Sequence, residues 1–385
     1  MSPPALNSLL IVSQGYTVNI SAGQVVDFVG VPFTGTLSVN GLTRGTQAQS
    51  GWHLRGNPYP SALDWNLVVN NGRLGNVDNT LYVFKSSGQY TGSYASYVNG
   101  QSTNGGTNVL PVAQGFFVRT SAAGASGSIN FTNAERLTTY DTAPFQRGTA
   151  DTRPQLKLSL SNAAVATQAA IYFEQGATAG FDGAFDAYHL PAPNGLTLAT
   201  EAGTEALAIN GQPALAGADV LLPLQVAALT AGTYTLAVDN LANLPAGYHA
   251  YLRDALSGTF TDLATTPSVS LTLAPNAAVG GRYSVLFTTQ ARVLATAPAA
   301  LAQLASVYPN PAHGAATLLL PVALRGQQAT AVSVVDNLGR TVLARTLAAG
   351  AAETLELPLA GLAAGVYSVQ ARTAAGLVVK RLVVE

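Results

Sequence analysis

Residues 155–161 read Gln-Leu-Lys-Leu-Ser-Leu-Ser, with leucine at every second position. A period of two puts Leu156, Leu158 and Leu160 on one face of a strand and the polar side chains on the other. The same alternation recurs outward along the chain. It groups Tyr234, Leu236 and Val238; Val269, Leu271 and Leu273; Tyr283, Val285 and Phe287; and Leu355, Leu357 and Leu359. Clusters of Gly, Pro, Asn and Asp separate these runs. Short half-buried strands at such spacing predict an all-β chain of tandem β-sandwich domains. The stretch ATEAGTEALA (199–208) admits a helical reading, but it is short, broken by Gly203 and flanked by strand patterns, so little helix is expected.

The 385 residues carry 18 Lys or Arg against 19 Asp or Glu, a net charge of −1, with 48% hydrophobic side chains. This balance excludes a nucleic-acid binder that works by bulk charge, and it excludes a chain disordered by composition. Cysteine is absent, which excludes a disulfide framework, thiolate catalysis and zinc sites built on sulfur. No apolar run approaches the ~18 residues of a membrane-spanning helix. The length suggests two or three domains. Composition shifts divide the chain into an aromatic-rich β domain at 1–145, expected to be truncated at its start, a β-sandwich at 150–290, a linker at 291–303 and a last domain at 304–385. The linker reads ARVLATAPAALAQ, and the softer boundary lies in DTAPFQRGTADTRP at 141–154.

A search for chemistry returns little. The four histidines, His53, His189, His249 and His313, are far apart in sequence, and there is no HExxH pair, nucleophile elbow, P-loop or dinucleotide fingerprint. No catalytic residue, metal ligand or cofactor is assigned. Asp182 and Asp186 in GFDGAFDAYHL form the best acidic pair, but without a third acid or the EF-hand spacing they read as a solvated turn whose two Phe pack inward. Asp239, Asp254 and Asp262 read as turn residues bonded to their own backbone. In GWHLRGNPYPSALDWN (51–66) the prolines stiffen a turn near Trp52, Tyr59 and Trp65. These three rings are candidates for a flat sugar-binding platform, although filling the sandwich core is the more common fate of large aromatics.

The last block carries four ordered elements: Tyr308-Pro309-Asn310-Pro311, then Asp336 with Gly339 and Arg340, then Leu362, Gly365 and Tyr367, then Lys380-Arg381-Leu382-Val383-Val384. Pro309 and Pro311 predict an extended lead-in, Asp336 to Gly339 a hairpin turn, and Gly365 a tight bend before VYSVQA. This set resembles the type A C-terminal sorting domain of the type IX secretion system of Bacteroidetes. The resemblance implies a small immunoglobulin-like sandwich read by an outer-membrane translocon. It also implies cleavage in the linker by a surface sortase and joining of the cargo to lipopolysaccharide, leaving the protein secreted or attached to the outer-membrane surface. The preceding blocks are similar, more loosely, to large repetitive surface proteins of the same bacteria.

The expected function is therefore a non-enzymatic surface protein with a structural or adhesive cargo part. The alternatives are a carbohydrate-binding module with a polysaccharide partner, or the accessory tail of a larger surface hydrolase. Type IX cargo also needs a signal peptide, whereas the first basic residue here is Arg44. The expectation from that departure is that the sequence is the C-terminal part of a longer protein or has a misplaced start.

Overall fold

The computed structural model describes residues 9–18, 29–88, 90–137, 151–256, 259–275, 279–291, 303–325, 329–336, 340–373 and 376–385. Strands dominate the described residues, and the helical pieces are Trp65–Asn70, Val322–Arg325 and a 3-10 turn at Asn133–Glu135. The chain divides into two compact units, one of Met1–Ala250 with Leu263–Thr289 and one of Tyr251–Asp262 with Gln290–Glu385.

The first unit begins with two small sheets facing each other. Strands Trp52–Gly56, Gly115–Arg119, Leu81–Gly88, Thr91–Val98 and Gln101–Thr103 lie side by side in that order. Opposite them lie Leu37–Thr43, Ser126–Phe131 and Leu74–Gly75. In Ser126–Phe131 the alternation sends Ile129 and Phe131 inward, where they meet Leu42, Phe116 and Val118. Each such buried side chain contributes roughly 1.5–3 kcal/mol.

A larger sheet follows, in the order Ser268–Leu273, Gly232–Ala242, Gln155–Ser161, Ala166–Glu174, Glu205–Pro213, Thr197–Ala202, Val220–Ala227 and Val279–Thr288. Its pairings are antiparallel except that Ala166–Glu174 runs parallel to Glu205–Pro213. Phe173 and Phe287 stand on strands that are not neighbours, yet their ring centroids are 4.8 Å apart at 82°. The sheet therefore curls over, as a sandwich requires to bury both inner faces. Leu156, Leu158 and Leu160 are all buried, as the alternation predicts. The Ala-rich stretch forms the hairpin of Thr197–Ala202 and Glu205–Pro213, with Gly203 at φ +63 in the turn.

The two blocks expected as separate domains, 1–145 and 150–290, share a cluster of buried residues. Tyr82 and Val98 pack with Ala170, Tyr172, Ala187 and Ile209. The Tyr188 N–H donates to Tyr82 Oη at 2.8 Å, and Thr80 Oγ1 donates to the Asp186 carbonyl at 2.6 Å. Most of the expected boundary at 141–154, and linker residues 292–302, lie outside the described residues.

In the second unit, Ser306–Tyr308, Ala315–Leu319 and Thr354–Pro358 form one sheet. Thr341–Leu347, Thr330–Val335, Gly365–Thr373 and Gly376–Val384 form the other, in that order. Leu318 and Leu357 from the first sheet meet Val332, Val334, Val369 and Leu382 from the second. This is a seven-stranded, immunoglobulin-like sandwich.

Candidate functional site

The four elements of the last block are far apart in sequence and meet at one end of the four-stranded sheet. Register puts Val335, Ser368 and Arg381 in one row across it. The turn after Val335, the start of Gly365–Thr373 and the end of Gly376–Val384 thus lie together.

Asn310 joins the first element to the last. Its Nδ2 donates to the Arg381 carbonyl at 2.8 Å, and its Oδ1 accepts from the Val383 N–H at 2.8 Å. A carboxamide presents an N–H donor beside a carbonyl acceptor, so it mimics a strand neighbour for one residue pair. Its proline neighbours have no N–H to offer, so the side chain makes this pairing. Main-chain pairing resumes at Ala312, which donates to the Val383 carbonyl at 2.9 Å and accepts from Glu385 N–H at 3.1 Å. His313 Nδ1 lies 3.0 Å from the Glu385 carbonyl. The extended lead-in stops at Tyr308, which is exposed, and the chain bends over 309–311.

Asp336 and Arg340 close the hairpin between Thr330–Val335 and Thr341–Leu347. Asp336 Oδ1 accepts from the Arg340 N–H at 2.9 Å, and the Arg340 Nε donates to Oδ2 at 2.8 Å. Gly339 lies outside the described residues. Leu362 packs against the core, and the buried Tyr367 donates its hydroxyl to the Ala363 carbonyl at 2.8 Å. Lys380 is half-buried and Arg381 exposed, opposite Val369 and Ser368.

The expected bend at Gly365 is not there. Gly365 sits in a strand opposite Val384, and a Cβ on it would meet only ordinary contacts, the nearest at 3.8 Å. The left-handed residue of this corner is Gly361, at φ +88.

In the first unit the three platform aromatics are not on one surface. Trp65 is buried, with its ring edge-on to Phe116 at 5.5 Å and its Nε1 donating to the Asn79 carbonyl. Tyr59 is also buried, and its hydroxyl donates to the Gly35 carbonyl. Trp52 is half-buried in the other cluster, against Tyr82 at 5.1 Å. Beside it the Arg119 guanidinium lies 4.2 Å from the Tyr188 ring centroid. Burial of these rings stabilises the fold and leaves no platform of three. The stiff turn is real, and Asn57 holds it by donating to the Ser61, Leu110 and Pro111 carbonyls.

Asp186 departs from the solvated turn expected of it. It is fully buried, its Oδ1 accepts from the Gly211 N–H at 2.7 Å, and its Oδ2 accepts from the Asp182 N–H at 2.6 Å. Burial pushes its carboxyl up to about 7, against the pull of those two N–H groups. Asp239 is not a turn residue either. It is the extra residue of a bulge in Gly232–Ala242, and its carboxylate accepts from Ser159 and Gln168. Asp254 does bond its own backbone, accepting from Leu256 N–H at 2.9 Å. Asp262 closes the strand Thr259–Asp262.

His189 has a buried Nε2 without a hydrogen-bond partner, and burial lowers it to about 4, so it is neutral at pH 7. No cluster of three or more His, Asp or Glu that could hold a metal occurs among the described residues. No described helix is long and apolar enough to cross a membrane.

Sequence reasoning missed Arg153. Its guanidinium bonds Asp151 Oδ2 at 2.7 Å, the Glu174 carboxylate and the Asn99 carbonyl at 2.8 Å, and stands 4.7 Å from the Tyr172 ring centroid. One local signal pointed there, the Asn99-Gly100 dipeptide of a tight hairpin.

The last block is thus a β-sandwich whose spaced turn and strand motifs converge on the strand Gly376–Val384. Residues 306–385 match the secretion system C-terminal sorting domain. This is the sorting domain of type IX secretion, and the protein is exported to the outer-membrane surface or secreted. Residues 9–274 match the family described as Domain of unknown function (DUF8693), and the chain belongs to that family. No curated protein matches the chain. A solved structure described as "Biofilm associated protein - BSP domain" is similar at 11% identity, over 91% of this chain and 63% of that one, with a TM-score of 0.16.

Proposed function

We propose that residues 9–274 are a non-catalytic, structural or adhesive cargo and that residues 304–385 are its removable address. The address engages the outer-membrane translocon through the end of the sheet where Asn310 grips the last strand. A surface sortase then cuts within 291–303 and joins the cargo to lipopolysaccharide. What supports the cargo reading is how its buried and half-buried acids other than Asp78 are held. Glu135 is held by Thr132, Asn71 and Arg73, and these bonds outweigh the effect of burial and lower its pKa. Asp151 and Glu174 are held by Arg153, and Asp186 by two backbone N–H groups. Glu135, Asp151 and Glu174, committed in this way, fix architecture, and Asp186 is enclosed in the fold with both oxygens bonded to backbone N–H groups, away from any substrate.

Mass spectrometry of the protein recovered from type IX-competent cells tests this. A surface-bound species ending within 291–303 is expected. Glu385 persisting on a periplasmic species would contradict it.

A further inference from the structure

In the first unit, a cavity of about 370 Å³ opens beside the helix Trp65–Asn70. Its wall is built before any ligand arrives. The hairpin from Thr91–Val98 to Gln101–Thr103 turns through Asn99 and Gly100, both at positive φ (47° and 80°). The Arg153 guanidinium is bonded to the Asn99 carbonyl and to the carboxylates of Asp151 and Glu174. A Cβ at Gly100 would stand 3.2 Å from Arg153 Nη2, so glycine lets the turn approach the guanidinium closely. Tyr97 donates its hydroxyl to Asn66 Oδ1 at 2.9 Å, which fixes that amide, and its Nδ2 makes no hydrogen bond among the described residues.

Two further amides face the cavity, Asn70 and Asn79, and neither side chain makes a hydrogen bond among the described residues. Carboxamides placed at a cavity with donors and acceptors unspent are fitted to a ligand that has both.

We infer that this cavity binds a neutral saccharide, with Asn66, Asn70 and Asn79 as its hydrogen-bonding groups. Paired hydroxyls on a sugar ring each donate and accept, matching a carboxamide, while Val69 and Ala184 give the C–H face an apolar contact. One guanidinium against two carboxylates leaves the wall with one negative charge in excess, which disfavours an anionic ligand. The volume lies at the small end of ligand cavities, about 300–1,000 Å³, which suits about one or two sugar rings rather than an extended peptide. The inference gives the proposed cargo a ligand, and so rests on that reading. It does not use the three aromatics expected from sequence as a platform, except that the buried Trp65 lies in the wall.

The test uses the full chain on an array of neutral gluco-, manno-, galacto- and xylo-oligosaccharides, with polygalacturonate and sulfated glycans as charged arms. Calorimetry then compares the wild type with two variants. Binding to a neutral oligosaccharide is expected. It should weaken about five- to tenfold for each amide lost in N70A/N79A. The melting temperature should hold, because those amides make no internal bond. Ala184→Trp keeps every amide and fills the cavity from an exposed position, and it should abolish binding. Retention of charged glycans alone, no retention at all, or binding unchanged in both variants would overturn the inference. Release of shortened sugars would instead overturn the non-catalytic reading and leave the site standing.

Discussion

The sorting sandwich and the DUF8693 unit are both all-β, but they differ in how their working parts are encoded. In the sandwich, each recognisable motif is a turn or a strand end, and the sheet carries four of them to one end. In the larger unit, polar groups meet across long stretches of chain. Asn99 reaches Glu174 from 75 residues away, and Thr80 reaches Asp186 from 106. The sandwich also closes at long range, with Asn310 reaching Arg381 from 71 residues away, but each of its motifs is recognisable by itself, whereas the polar groups of the larger unit carry no such local pattern.

The largest effect expected from breaking this contrast comes from deleting Lys380 to Glu385. That removes half of the strand Gly376–Val384, the partner of Asn310 and the core residues Leu382 and Val384. Loss of the cooperative unfolding transition of the sandwich, followed by calorimetry, and loss of export are expected. Asn310→Ala is milder. It leaves the Arg381 carbonyl and Val383 N–H, both exposed, to water, and should cost about 1 kcal/mol by denaturant titration.

The larger unit should answer to pH. The folded pKa of Asp186, about 7, lies above the ~3.9 of an unfolded Asp, so between those values the folded state holds more protons. Stability from this group is full below about pH 4 and falls as pH rises through 7, by an amount on the order of a few kcal/mol. Denaturant midpoints measured from pH 4 to 8 should show that slope in the wild type, and Asp186→Asn should flatten it.

Arg153→Ala strands Asp151 and Glu174, whose side chains are 28% and 29% exposed, so solvent screening limits the loss to about 1–2 kcal/mol. The smallest difference separates two glycines. Gly361→Ala forces φ +88 on a residue with a Cβ and should cost about 1 kcal/mol. Gly365→Ala should stay within about 0.5 kcal/mol of the wild type, because the Cβ has room.

The fold was legible because alternation carries its own geometry. Leu156, Leu158 and Leu160 need no neighbour to be assigned a common face, and all are buried. The DxxGR spacing was legible for the same local reason, since Asp336 and Arg340 bond across their own turn. Gly365 misled because glycine signals freedom without saying where it is used; Gly361, four residues earlier, takes the positive φ. Trp52, Tyr59 and Trp65 misled because closeness in sequence does not decide which core a ring enters, and strand pairing sent them to two clusters. Asn70 and Asn79 carried no signal, because an uncommitted amide is recognisable only once its surroundings are folded.

The most direct measurement is the destination of a signal peptide and fluorescent reporter fused to residues 304–385, in wild-type form and with Asn310→Ala, in a type IX-competent bacterium. Surface display of the first and a reduced surface fraction of the second are predicted. Periplasmic retention of the wild-type fusion with its sandwich folded would contradict the assignment of this domain as the address.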